Sequence, residues 1–267
     1  MRKRLRTRII LSCLLLVVLL IVAVSSTKKE PQYKGQSLHV WARLCWSNNT
    51  TGEQRKEAAD AIRHIGTNSF PFVMQWLRFE PQHWKDKLEY SKPKLSQFLQ
   101  RFWESNDEGD DKAGDAMSVI SVLQSEAVLL APEILRLSYD KSRDQAAYRA
   151  LDALGCLGTN GLPQLEQILR DPHHKHRARA AGVIGEIIEM DPTARSAVPA
   201  LVQCLGENDS ILVMRVSDAL AGAGVTSDLV IQPLKKNLTS PDILIRRAAE
   251  TTLRALSPEA LTNAPSR

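Results

Sequence analysis

The stretch Ala58-Ala59-Asp60-Ala61-Ile62-Arg63-His64-Ile65-Gly66-Thr67-Asn68-Ser69-Phe70-Pro71 returns about ninety residues later as Ala150-Leu151-Asp152-Ala153-Leu154-Gly155-Cys156-Leu157-Gly158-Thr159-Asn160-Gly161-Leu162-Pro163. Each copy reads as a small-residue helix, a Gly-Thr-Asn turn and a second helix with proline near its start. A chain that reuses such a phrase builds a stack of similar helical pairs. Such a stack presents surface for binding more readily than it encloses a reaction.

Working outward, the central aliphatic of each first helix falls at Ile62, Ile120, Leu154, Ile184, Leu220 and Leu253. After a long first interval, the spacings settle near roughly 30–36 residues, the period of two-helix repeats. Small residues precede each anchor: Ala58 and Ala59, Ala116, Ala150, Ala180 and Ala181, Ala219, Ala248 and Ala249. Small residues let neighbouring helices approach, and aliphatics at three- and four-residue spacing share one face. The pattern therefore predicts a helix-on-helix seam in which Leu154→Ala and Ile184→Ala are costly.

Proline opens the predicted partner helix at Pro71, Pro132, Pro163, Pro199 and Pro233. Its missing amide proton would have gone unpaired in a first turn anyway. Gly66 and Gly158 suit the left-handed residue that ends a helix. Two units depart from this pattern: Gln124 replaces the turn glycine in the second, and Gly222 with Gly224 weakens the helix of the fifth.

On these residues the sequence resembles the HEAT-repeat family, in the short variety named after phycobilisome lyases. The matching groups are Arg55 with Ala58-Ala59 and Ile62, Arg177 with Ala180-Ala181 and Ile184-Gly185, and Arg246-Arg247-Ala248-Ala249 with Leu253. The resemblance covers residues 51–77 and 110–257. It implies an all-α, right-handed α-solenoid of about six HEAT-like units whose second helices line the concave surface. It also implies a non-catalytic scaffold that binds a protein partner. The rival it carries is a lyase-like enzyme or enzyme subunit acting on a protein.

The ends of the chain carry other information. Arg2, Lys3, Arg4, Arg6 and Arg8 precede an uncharged run over residues 9–24, a basic leader followed by an apolar segment. Removing those five cations from the 35 basic residues leaves 30 against 30 acidic ones, so the net +5 resides in the leader. A neutral body argues against nucleic-acid binding. Residues 1–26 read as a signal-anchor that places the repeats outside the cytoplasm, or as a cleaved signal peptide that releases them to the periplasm or beyond. No later segment reads as long and apolar enough to span. Residues 27–50 form a juxtamembrane segment and an N-terminal capping helix within 33–47, started by Ser37 with Leu38, Trp41, Leu44 and Cys45 on one face. Unit 1 occupies residues 51–77, an insertion 78–111, units 2–6 residues 112–257 and a tail 258–267.

The insertion collects Phe79, Trp84, Tyr90, Phe98, Phe102 and Trp103, and then Glu104 to Asp111, which reads as an acidic loop. Trp84 and Trp103 are candidate partner contacts, because clustered aromatics anchor many interfaces. His173-His174-Lys175-His176 reads as a solvated turn between units, and His174→Ala as nearly neutral. Glutamate follows none of the histidines, so the His-Glu pair of iron-holding HEAT-repeat hydroxylases is missing. Phosphate-loop and nucleophile-elbow motifs are absent too, and the reading assigns no cofactor, metal or catalytic residue. Cys45, Cys156 and Cys204 are too scattered for a disulfide framework, and Cys156 and Cys204 read as small core hydrophobes.

One more row follows from helical geometry. With Val73, Ile134, Leu165, Leu201 and Leu234 facing the core, the residue two places on is rotated by roughly 200° and points away. Those residues are Gln75, Arg136, Gln167, Gln203 and Lys236, a polar ladder suited to hydrogen-bonding a protein partner.

Overall fold

Each first helix has one apolar face that a single helical pair cannot cover, so the cover comes from neighbouring units. A computed structural model describes residues 29–79 and 108–262. In it a two-residue antiparallel hairpin, β1 (Gln32–Tyr33) and β2 (Gln36–Ser37), leads into α1 (Leu38–Trp46). Six helical pairs follow: α2 (Gly52–Ile65) with α3 (Phe70–Leu77), α4 (Glu108–Ala127) with α5 (Ala131–Ser138), α6 (Asp144–Gly155) with α7 (Leu162–Arg170), α8 (Arg177–Met190) with α9 (Val198–Cys204), α10 (Ser210–Gly222) with α11 (Asp228–Asn237), and α12 (Ile243–Leu256) with α13 (Glu259–Thr262). Short 3-10 turns join the partners of the first four pairs.

The described chain is an all-α solenoid. First helices pack side by side in one layer, second helices in another, and each second helix also packs on the first helix of the next unit. All six anchor aliphatics are fully buried. The first-helix layer is close because small residues face across it. A Cβ added at Gly155 would come within 2.6 Å of Val183, and one at Gly185 within 2.6 Å of the Ala219 Cβ. α3 packs directly on α4, so the stack continues across the insertion.

Helix starts follow capping chemistry. Thr51 and Gln54 form a reciprocal capping box, while Asp209 and Asp242 each accept from two backbone amides of the first turn. At the Gly-Thr-Asn turns, Gly66 and Gly158 have φ of 54° and 61°, which a side chain would strain. Gly224 has φ of 61° as well. It is the turn glycine of the fifth unit, and the helix ahead of it runs intact to Gly222.

The structure corrects four expectations about the elements. Pro233 does not open its helix: α11 starts at Asp228, whose acid suits the positive end of the helix dipole, and Pro233 lies inside. Glu108 to Asp111 belong to α4 rather than to a loop. Tyr33 to Gln36 turn a hairpin, so the N-terminal helix begins only after Ser37. That helix buries Leu38 and Trp41 and lies across α2 and α4, covering the first two units from their first-helix side. Finally, Lys112–Ser138 is long and apolar enough to cross a membrane by length and composition. These residues make up the second unit, where Ala116, Val119, Ile120, Leu123 and Ile134 are core. The leader, Trp84 and Trp103 lie outside the described residues.

Candidate partner-binding surfaces

The polar ladder starts from the core of the second-helix layer. Val73, Ile134, Leu165, Leu201 and Leu234 are all 0% exposed. Two positions further on, Gln75, Arg136, Gln167, Gln203 and Lys236 are all exposed, as the rotation per residue requires. Beside Gln167, a shallow depression of about 380 Å³ is lined by Thr159, Pro163, Glu166, Arg170, Thr193 and Ser196. Arg78 at the end of α3 pairs with Glu133 of α5, tying successive second helices together at the rim.

A second surface lies on the first-helix layer, and the sequence reading missed it. α6, α8 and α10 enclose a cleft of about 440 Å³. Its floor is α8 itself at Ala178, Gly182 and Gly185. Tyr148 of α6 stands on one side and Ile211, Arg215 and Asp218 of α10 on the other. Arg179 crosses the floor: its Nε donates to Asp152 at 2.6 Å, its Nη1 to Glu186 at 2.9 Å, and its guanidinium lies 5.7 Å from the Tyr148 ring centroid. Burial pushes the Asp152 carboxyl up, and the Arg179 ion pair holds it back. The sequence signal for this cleft was Gly182, a glycine in mid-helix with no anchor role.

The histidine run is only partly solvated: His173 and Lys175 are exposed, whereas His174 is buried. His174 is 7% exposed and sits edge-on to Tyr139 at 4.6 Å between ring centroids. The Ser138 hydroxyl donates to the Leu135 carbonyl at 2.7 Å, so His174 Nε2–H donates to the Ser138 oxygen at 3.4 Å. Its Nδ1 accepts from the His176 amide at 3.2 Å. Burial, and secondarily the neighbouring His176, hold its pKa below the ordinary histidine value. His176 Nε2 pairs with Asp144 at 3.1 Å, and Lys175 with the same carboxylate at 2.7 Å. The run staples three units together. Its burial depends on Ser138 and Tyr139, more than thirty residues earlier, which local polarity does not reveal.

The matched arginines share one structural task. Arg177 donates Nε–H to the Leu169 carbonyl at 2.8 Å and grips Glu207 through Nη1 and Nη2 at 2.7 and 2.6 Å. Arg55 donates to the Ser47 carbonyl, and Arg246 to the carbonyls of Ser240 and Pro241. Each cation thus meets orphan carbonyls where the preceding element ends, at the negative end of a helix dipole or the turn after it. Cys204 is buried, donates to the Ala200 carbonyl at 3.5 Å, and has its thiol pKa pushed up to about 11 by burial. Burial raises Cys156 as well, so both behave as core residues rather than nucleophiles. Among the described residues, no group of three or more His, Cys, Asp or Glu is arranged to hold a metal ion.

Layered helical pairs, close first-helix seams and arginine clamps at the unit boundaries define the protein as an α-solenoid of helical-pair repeats. The family model for HEAT repeats matches residues 162–254, which include the Gly185–Ala219 seam and the Arg177 and Arg246 clamps. No curated protein matches the chain. Among solved structures it is similar to a designed armadillo repeat protein, at 14% identity over 83% of this chain and 100% of that one, with a TM-score of 0.36. A designed armadillo repeat protein in complex with peptide (KR)4 aligns at 16% identity over 83% and 100%, with a TM-score of 0.38. At these TM-scores the alignments bring no residue correspondence to this chain.

Proposed function

We propose that the protein is a non-catalytic scaffold that holds a protein partner outside the cytoplasm, tethered to the membrane through residues 9–24. The observation that carries this reading is the ladder Gln75, Arg136, Gln167, Gln203 and Lys236. Five long polar side chains repeat at one position of successive second helices, each exposed above a fully buried aliphatic. Repetition of donors and acceptors along a stack matches a partner that contacts several units at once, and rigid helices hold the row in register. The neutral body suits a protein partner better than a phosphate backbone. The basic leader and its uncharged run support the tether and the extracytoplasmic side.

Photo-crosslinking tests this reading in native membranes. A benzophenone amino acid at Gln167 or Gln203 is expected to trap one discrete protein, identified by mass spectrometry, while the same probe at exposed Leu129 traps none. Equal trapping at all three positions would reject the ladder as the binding face.

A further inference from the structure

The polar ladder is not neutral. Arg136 and Lys236 share it with three glutamines, so the row carries two cations and no acid. This runs against the surrounding sequence, because acidic residues outnumber basic ones over residues 108–262. The acids of the second-helix layer are already engaged elsewhere: Glu133 pairs with Arg78, Glu166 with Arg170, and Glu259 faces Lys235. Asp228 opens α11, roughly 12 Å along the helix from Lys236. Among the described residues, the side chains of Arg136 and Lys236 have no hydrogen-bond or ion-pair partner. The two cations are therefore available to carboxylates from outside the chain.

The spacing of the row selects a conformation for what lies on it. Helices packed side by side stand about 8–10 Å apart, so the ladder repeats at that interval. A β-strand returns a side chain to the same face every roughly 6.7 Å and falls out of step. A polyproline II segment, with three residues per turn and a rise of about 3.1 Å, returns every roughly 9.3 Å and keeps step. Its amides and carbonyls are also unpaired, and glutamine both donates and accepts. An α-helix would match at about seven residues per unit, but its backbone is already satisfied and leaves the glutamines nothing to bond there. One turn earlier on the same helices, Pro71, Pro132, Pro163 and Pro199 form an exposed row of rigid apolar rings beside the ladder. Arg136 and Lys236 stand three units apart, which is about nine residues of such a segment.

We propose that the ladder binds an extended acidic segment of a partner protein, held in polyproline II conformation, with carboxylates about nine residues apart beside Arg136 and Lys236. The proposal rests on the scaffold reading and adds the partner's chemistry to it.

The test uses the full-length protein in mild detergent and a fluorescein-labelled peptide of about 15 residues, with proline at every third position and two glutamates nine residues apart. Anisotropy is expected to show saturable binding. It is expected to weaken about tenfold when lysines replace the glutamates, and likewise when the glutamates are moved to about five residues apart. Arg136→Gln and Lys236→Gln should each weaken binding about tenfold without lowering the melting temperature, since both side chains are exposed. Arg136→Glu/Lys236→Glu is expected to reverse the preference and bind the lysine peptide. Four results would each overturn the proposal: no saturable binding to the wild type, equal binding of the acidic and basic peptides, indifference to the spacing of the glutamates, or tighter binding of an oligothymidylate than of the acidic peptide. If crosslinking at Gln167 and Gln203 still traps a protein while the acidic peptide does not bind, the proposal fails and the scaffold reading stands. If both fail, the scaffold reading falls with it.

Discussion

Two glycines three residues apart on α8 are expected to respond to the same substitution with opposite signs. At Gly182 an alanine methyl would meet only Arg179 Nη1, at an ordinary contact distance of 3.8 Å. The change gains helix propensity and reduces the freedom of the unfolded chain, which together stabilise by about 0.5–1 kcal/mol. At Gly185 the same methyl would stand 2.6 Å from the Ala219 Cβ and 2.8 Å from its Cα. That Cα belongs to the backbone of α10, so relief requires the two helices to separate. Overpacking of this kind costs about 1–3 kcal/mol, which exceeds the gain in propensity. For a folded body of this size, about 1 kcal/mol moves the melting temperature by about 2–4 °C. Circular dichroism at 222 nm should therefore place Gly182→Ala a few degrees above the wild type and Gly185→Ala a few degrees below. A shift of the same sign in both variants would refute the close α8–α10 seam.

Further outcomes follow from the same geometry. Ile184→Ala, which empties a fully buried site, should cost about 2–5 kcal/mol in urea melts. Arg177→Met should cost about 2–3 kcal/mol, less than a fully buried pair, because Glu207 is 35% exposed and regains water; Arg177→Lys should recover little, since lysine cannot grip both oxygens. His174 is held neutral, with its folded pKa below its unfolded one, so the unfolded chain takes up a proton first. Stability should be full well above about pH 6.5 and fall as pH drops through that range. Asp171 and the His176–Asp144 pair face the same turn, so His174→Asn isolates the effect by flattening the slope. A slope unchanged in His174→Asn would assign it elsewhere. Cys204 should resist iodoacetamide at pH 8 in the native protein and react only after denaturation.

The repeat was legible in the sequence because it is written in local chemistry. Anchors, small-residue seams, turn glycines and prolines at helix starts all act within a few residues, and the ladder followed from rotation alone. Features decided by contacts across units were not. Pro233 looked like a helix start until Asp228 supplied an earlier one, and the polar run at His174 looked solvated until Ser138 and Tyr139 closed over it. The cleft on α8 exists only because α6 and α10 stand on either side of it. Its one local trace is Gly182, indistinguishable in sequence from Gly185, whose reason is internal packing.

The central claim is that a protein partner is held on the exposed face of the second helices. Quantitative capture of that partner by the Gln167→Glu/Gln203→Glu variant, compared with the wild type in native membranes, tests it most directly. Both glutamines are exposed, so the melting temperature should stay within about 1 °C. Capture should fall about tenfold, as paired acceptors replace groups that both donate and accept. Undiminished capture by this variant, together with its loss in Trp84→Ala or Trp103→Ala, would contradict the account and move recognition to the aromatic insertion.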